Sequence, residues 1–277
     1  MVDWLNLFMD AATAIRKEVG PMLGTAQARE TRGRGAGGDV AHSVDIAAEN
    51  IVIRRLEKER MPCVLISEEI GTRLINGDGP DHVVLDPVDG TTNALRYIPF
   101  SSTSIAHATG PWLRDVDVGL VMDLYSGMVF TAKKGEGAYL NGSKVTASKL
   151  VGLEDAIISV ELDYPKRART LTRIYLPLME RTLKLRHLGS TALEIAYVAS
   201  GALDAFVDMR GLTRSVDLAA ATLIAREAGG LVVTPDGGEL NMELKATARS
   251  SLIASGNRQL AGEIVELLRK GMDTTLI

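Results

Sequence analysis

Two carboxylates three residues apart, Asp86 and Asp89, follow the apolar run His82-Val83-Val84-Leu85 in the segment Asp86-Pro87-Val88-Asp89-Gly90-Thr91-Thr92. A fold that accepts this segment must bring two like charges to the end of an apolar strand, where they repel unless a cation lies between them. No Lys or Arg occurs between Arg73 and Arg96, so the local sequence offers no organic counter-ion and a bound metal is the natural candidate. Pro87 biases Asp86 toward an extended conformation, and Gly90 permits a sharp turn. Thr91 and Thr92 suit the cap of a helix through Asn93, Ala94 and Leu95, and a helix start offers N–H groups to an anion. The competing reading is an ordinary turn, because Asp, Pro and Gly are the commonest turn residues.

The 277 residues are 46% hydrophobic and 24% charged, the balance of a folded globular chain. Its 31 basic and 35 acidic residues give a net charge of −4 with no basic block, which argues against a nucleic-acid partner. No apolar run approaches the length of a membrane span, and Met1-Val2-Asp3-Trp4 lacks a signal-peptide pattern, so no membrane partner and a cytoplasmic location are expected. The single cysteine, Cys63, lies in an apolar run and excludes an intramolecular disulfide or a multi-Cys zinc site. The histidines at 42, 82, 107 and 187 show no metal-ligand spacing. Any metal should therefore take oxygen ligands, which points to Mg²⁺ or Mn²⁺.

Trp4, Phe8, Ala11 and Ile15 follow helical spacing, predicting an opening helix that ends near Gly20-Pro21. The polar, Gly-rich stretch 27–38 reads as a mobile surface loop. Within it Gly33-Arg34-Gly35-Ala36-Gly37-Gly38 matches G-x-G-x-x-G, but Arg29-Glu30-Thr31-Arg32 stand where a dinucleotide fingerprint needs a buried strand. A helix over 44–60 and strands over 63–66 and 81–85 follow, so Glu68-Glu69 and Asp86 each come just after an apolar strand. Segments 102–108, 116–122 and 128–132 read as an antiparallel meander. Beyond Leu150 the expected order is strand 156–160, helix 166–179, helix 190–200, strand 203–207, helix 217–228, strands 231–233 and 251–254, and a final amphipathic helix. The 217–228 helix is almost wholly apolar and must be buried, which carries Asp217 inward beyond a plain N-cap role. The pattern divides into an α+β half, 1–150, and an α/β half, 151–277, with the boundary within 145–155.

Taken together, these residues resemble the inositol monophosphatase family, most closely its archaeal-type fructose-1,6-bisphosphatase/inositol-1-monophosphatase branch. The resemblance rests on Glu68-Glu69, on Asp86-Pro87-Val88-Asp89-Gly90-Thr91-Thr92-Asn93, and on Asp217-Leu218-Ala219-Ala220 with Glu227-Ala228-Gly229-Gly230. Asp39, Asp45, Asn141-Gly142 and Gly189-Ser190-Thr191-Ala192 also look like family positions. Val216 replaces a frequent Trp and Ala94 a usual aromatic, departures that bear on substrate choice rather than metal chemistry. The resemblance implies a layered αβαβα sandwich of the inositol monophosphatase/fructose-1,6-bisphosphatase type. It implies two or three Mg²⁺, with Glu68, Asp86, the Val88 carbonyl, Asp89 and Asp217 as ligands and Asp86 bridging. Glu68, Thr91 and Asp86 would be catalytic. Gly90, Thr91, Ser190, Asp208 and Arg210 would contact substrate, with Arg186 and Tyr164 as further candidates, and Arg210 would suit a second phosphate.

The implied activity is hydrolysis of a small-molecule phosphate ester, fructose 1,6-bisphosphate or inositol 1-phosphate, by a lithium-sensitive homodimer. One alternative is a 3′-phosphoadenosine 5′-phosphate or NADP phosphatase, although aromatics are only 4% of the chain and a nucleotide needs a stacking surface. The other is a non-catalytic cation-binding regulatory protein.

Overall fold

Trp4, Phe8, Ala11 and Ile15 form the buried stripe of helix α1 (Trp4–Val19), which starts where the Asp3 side chain accepts from the Asn6 N–H. The computed structural model describes residues 3–150, 152–163 and 165–273. A short hairpin of β1 (Thr31–Arg34) and β2 (Val40–His42) leads into α2 (Ser43–Lys58). Next come β3 (Cys63–Ser67), β4 (Gly71–Ile75), β5 (Asp81–Asp89) and the short α3 (Thr91–Arg96). The meander is β6 (Ser102–Ala108), β7 (Val116–Asp123) and β8 (Val129–Lys133), extended by β9 (Gly137–Leu140) and β10 (Ser143–Val145). These eight strands, β3 to β10, make one sheet in the order β10-β9-β8-β7-β6-β5-β3-β4, in which only β3 and β5 pair in parallel.

The second half adds β11 (Ile157–Val160), α4 (Ala168–Met179), β12 (Lys184–Arg186), α5 (Thr191–Ser200) and β13 (Ala205–Arg214). It ends with α6 (Ser215–Glu227), β14 (Leu231–Val233), β15 (Arg249–Ser255) and α7 (Arg258–Asp273). Its five strands order as β12-β11-β13-β15-β14.

Period-two alternation builds the layers. Val83 and Leu85 of β5, Ile105 of β6 and Leu120 of β7 share a core with α1 and α2, while Val84, Ala106 and Val121 share one with α5 and α6. In the second sheet Phe206 and Leu252 join that same central core, whereas Val207 and Ile253 pack with α4 and α7. The result is an αβαβα sandwich. Helix α6 occupies its centre and is apolar on nearly every side because sheets lie on both sides of it.

Several expectations change in detail. The stretch around 27–38 is not a free loop: β1 pairs with β2, and Ala36 and Gly37 donate to the Glu69 and Glu68 carbonyls at 2.8 and 2.9 Å. Strand β5 does not stop at Leu85 but runs to Asp89, with a register shift between Asp86 and Asp89 that absorbs Pro87 as a bulge. The edge strands β4, β10 and β12, and β9 beside β10, carry too little apolar alternation to have been expected.

Candidate active site

Parallel pairing of β3 with β5, Ser67 opposite Leu85, sets Glu68 and Asp86 side by side at the strand ends. Asp86 is fully buried; its Oδ1 accepts from the Val88 N–H at 3.1 Å, and its Oδ2 has no protein partner among the described residues. Past the bulge, Asp89 Oδ2 accepts from Ser190 Oγ at 2.6 Å and from the Ala192 N–H at 2.7 Å, so the first turn of α5 fixes its orientation. Asp217 arrives on α6. It is not the N-cap but stands three residues in, where Oδ2 accepts from the Arg214 N–H at 2.9 Å. Gly90, not a threonine, caps α3, in a left-handed conformation with φ 82°.

Burial first, then Glu68, Asp89 and Asp217, pushes Asp86 well above the usual carboxylate range. Burial and then Asp217 push Asp89 up to about 7, against the opposing hydrogen bonds from Ser190 and Ala192. Burial also raises Glu68, with Arg214 opposing the rise and Asp217 adding to it.

The counter-ion that local sequence lacked is supplied by the fold. Arg214 Nη1 contacts Glu68 Oε1 and lies 3.1 Å from Asp39 Oδ2, while its Nε is 3.2 Å from Asp217 Oδ1. The only hint in the sequence was its place three residues before Asp217. One guanidinium against Glu68, Asp86, Asp89 and Asp217 still leaves an excess of negative charge. That excess, the partnerless Asp86 Oδ2 and an all-oxygen donor set fit a hard divalent cation.

Around this cluster lies an open pocket lined by Gly90, Thr91, Thr191, Arg210 and Arg249 among others. Thr91 Oγ1 is 2.9 Å from the Val88 carbonyl and 3.3 Å from Asp45 Oδ1. Burial pushes Asp45 up to about 7. Ser190 and Asp208 are fully buried and lie behind the pocket wall rather than on it. Ser190 holds Asp89, and Asp208 holds Arg210 and Thr213. Arg186 is exposed, bonds the Leu185 carbonyl and does not line the pocket; Tyr164 lies outside the described residues.

The fold also assembles a group that sequence spacing concealed. Glu161, Asp163 and His187 each offer a ligand atom within 4.8 Å of the others. Arg210, 2.7 Å from Glu161, already supplies a counter-charge there, so this is an ion-pair network in the first instance.

Residues 4–273 match the family model described as the inositol monophosphatase family. A fructose-1,6-bisphosphatase/inositol-1-monophosphatase of Methanothermobacter thermautotrophicus is 38% identical over 274 residues, 96% of each chain. A bifunctional NADP phosphatase/NAD kinase of Methanococcus maripaludis is 34% identical over 95% of this chain but only 49% of its own. Among solved structures, an inositol monophosphatase-fructose 1,6-bisphosphatase superposes with a TM-score of 0.86 at 30% identity, covering 96% of this chain and 100% of that one.

Proposed function

The chain belongs to the inositol monophosphatase family, a phosphatase of sugar and inositol phosphates, and we propose that Glu68, Asp86, Asp89 and Asp217 form its catalytic metal centre. The observation that carries this reading is their convergence from three separate elements around a buried Asp86 oxygen with no protein partner. Glu68, Asp86 and the Val88 carbonyl would hold one Mg²⁺, and Asp86, Asp89 and Asp217 a second; Mn²⁺ suits the same oxygens, and a third cation near Glu68 is the further expectation. Such ions lower the pKa of water and stabilise the attacking and leaving oxygens of an in-line displacement.

The protein's own groups then do the positioning. A water between Glu68 and Thr91 donates to Thr91 Oγ1, whose proton turns toward Asp45 Oδ1. Asp45, whose Oδ1 lies 3.3 Å from Thr91 Oγ1, is the buried carboxylate placed to take up the proton that Thr91 passes on. Gly90 and Thr91 N–H groups hold phosphate oxygens, and the glycine lets the backbone come close. The new P–O bond forms to water, whose proton passes by way of Thr91 to Asp45, as the ester P–O bond breaks, and the departing alkoxide takes a proton from a solvent water. Ser190 and Asp208 act from behind, by fixing Asp89 and Arg210.

The test is phosphate release from inositol 1-phosphate and fructose 1,6-bisphosphate with Mg²⁺ and with chelator. Release must be abolished by chelator, and Asp89→Asn must lower kcat/KM at least about a thousandfold while keeping the far-UV circular dichroism of the parent. Chelator-resistant turnover would sink the assignment. The nucleotide alternative draws on the 34% identical NADP phosphatase/NAD kinase, but no Phe, Tyr or Trp lines the pocket among the described residues to stack a base, so the sugar and inositol phosphate reading fits better. Inhibition by Li⁺, a homodimer and a cytoplasmic location are finer expectations of the same reading, and a LiCl titration together with light scattering checks the first two.

A further inference from the structure

Arg210 lines the same pocket as Gly90 and Thr91, yet its guanidinium is already committed. Its Nε and Nη2 lie 3.1 and 2.8 Å from the Asp208 oxygens, and Nη1 lies 2.7 Å from Glu161 Oε2. Asp208 and Glu161 are both buried, so water does little to screen either pairing. On the open side His187 Nδ1 is 3.6 Å from Glu161 and Nε2 is 3.2 Å from Asp163. Three carboxylates therefore surround one guanidinium and one imidazole, and this end of the pocket is net negative even when His187 is protonated.

A bidentate fork that receives a phosphate must have donors to spare and a positive surrounding. Here most of the fork faces protein carboxylates. A second phosphate dianion at this end would meet Glu161 and Asp163, whereas sugar or cyclitol hydroxyls would find their oxygens as acceptors and the remaining Arg210 N–H groups as donors.

We propose that Glu161, paired with Arg210 and backed by Asp163, is a specificity-determining residue that admits polyol monophosphates and disfavours bisphosphates. This rests on the phosphatase reading above and assigns the substrate class of the same pocket.

The experiment measures kcat/KM for inositol 1-phosphate and fructose 1,6-bisphosphate with saturating Mg²⁺ at pH 8. The unmodified enzyme is expected to favour inositol 1-phosphate by about tenfold or more, the scale set by like charges at close range near a protein surface. Glu161→Gln should shift the ratio toward the bisphosphate by roughly tenfold, mainly through KM, and higher ionic strength should narrow the difference. Asp163→Asn, at an exposed position, should shift it the same way by about threefold. Equal use of both substrates, or ratios unmoved in both variants, overturns the inference and leaves the phosphatase standing. So does efficient bisphosphate cleavage that Arg249→Gln removes, because the second phosphate would then sit on Arg249. Phosphate release from neither substrate overturns the phosphatase reading and this inference together.

Discussion

Arg214 shows how one side chain can alter the electrostatics of a whole site. Its guanidinium joins Glu68 just past β3, Asp217 on α6 and Asp39 in the hairpin, and its side chain is only 14% exposed. Removing one partner of such a buried network leaves uncompensated charge. Arg214→Gln is therefore expected to destabilise the protein in chelator by about 2–4 kcal/mol and to enlarge the rise in Tm on adding Mg²⁺. Thermal melts with and without the ion check this, and melts in chelator identical to the parent would refute it. Glu194 on α5 supplies a pH-dependent counterpart. It is fully buried, its Oε1 accepts from Ser159 Oγ and the Leu188 N–H, and its Oε2 has no protein partner among the described residues. Burial, and then Glu161, pushes its carboxyl from the usual 4.5 up to about 8. The folded state therefore binds this proton more tightly than the unfolded chain, and stability from it is full below pH 4.5 and is lost as pH rises through about 8. Glu194→Gln stays neutral, so it should match the parent near pH 5 and exceed it by roughly 2–4 kcal/mol near pH 8.5, read from urea midpoints.

At the scale of elements, the bulge in β5 and the left-handed Gly90 together aim the segment 86–92 at the pocket. Between Asp86 and Asp89 the register slips against β6, so Asp86 stands opposite Ser104 and Asp89 opposite Ser102. Pro87, which has no N–H to offer a sheet, costs nothing at that irregular position. Gly90 then turns the chain with φ 82°, and a Cβ there would stand 2.7 Å from the Gly189 carbonyl oxygen. Gly90→Ala is expected to cost about 2–3 kcal/mol of stability, combining left-handed strain with a backbone clash, and to cut kcat/KM at least tenfold by displacing α3 from α5. A crystal structure of the variant with an unmoved 188–192 segment would contradict that account. The hairpin of β1 and β2 belongs to this scale too. Its residues are mostly exposed and polar, so no periodicity announced it, yet backbone bonds to Glu68 and Glu69 dock it beside the pocket.

For the molecule as a whole, the central core is shared. Ile66, Val84 and Ala106 of the large sheet and Phe206 and Leu252 of the small one pack into a single cluster with α5 and α6. We propose that 1–150 and 151–277 are halves of one cooperative unit, although the two sheets divide between Val145 and Ile157. Urea unfolding followed by far-UV circular dichroism and by tryptophan fluorescence should give coincident transitions, since Trp4 and Trp112 report the first half and the backbone signal reports both. Two separated transitions would show autonomous halves. The sequence by itself determined the elements with strong periodicity and the acidic segments at their ends, because alternating strands and an almost wholly apolar helix admit few burials. Asp86, Asp89, Glu68 and Asp217 were legible for that reason. Only the tertiary structure decided that Arg214 is their counter-ion, that Asp208 and Ser190 act from behind the wall, and that Glu161, Asp163 and His187 gather at Arg210. Apart from Arg214 with Asp217 and Asp208 with Arg210, those relations join residues far apart in the chain, and their energies come from burial and from charges brought within a few ångströms, quantities that local spacing does not contain.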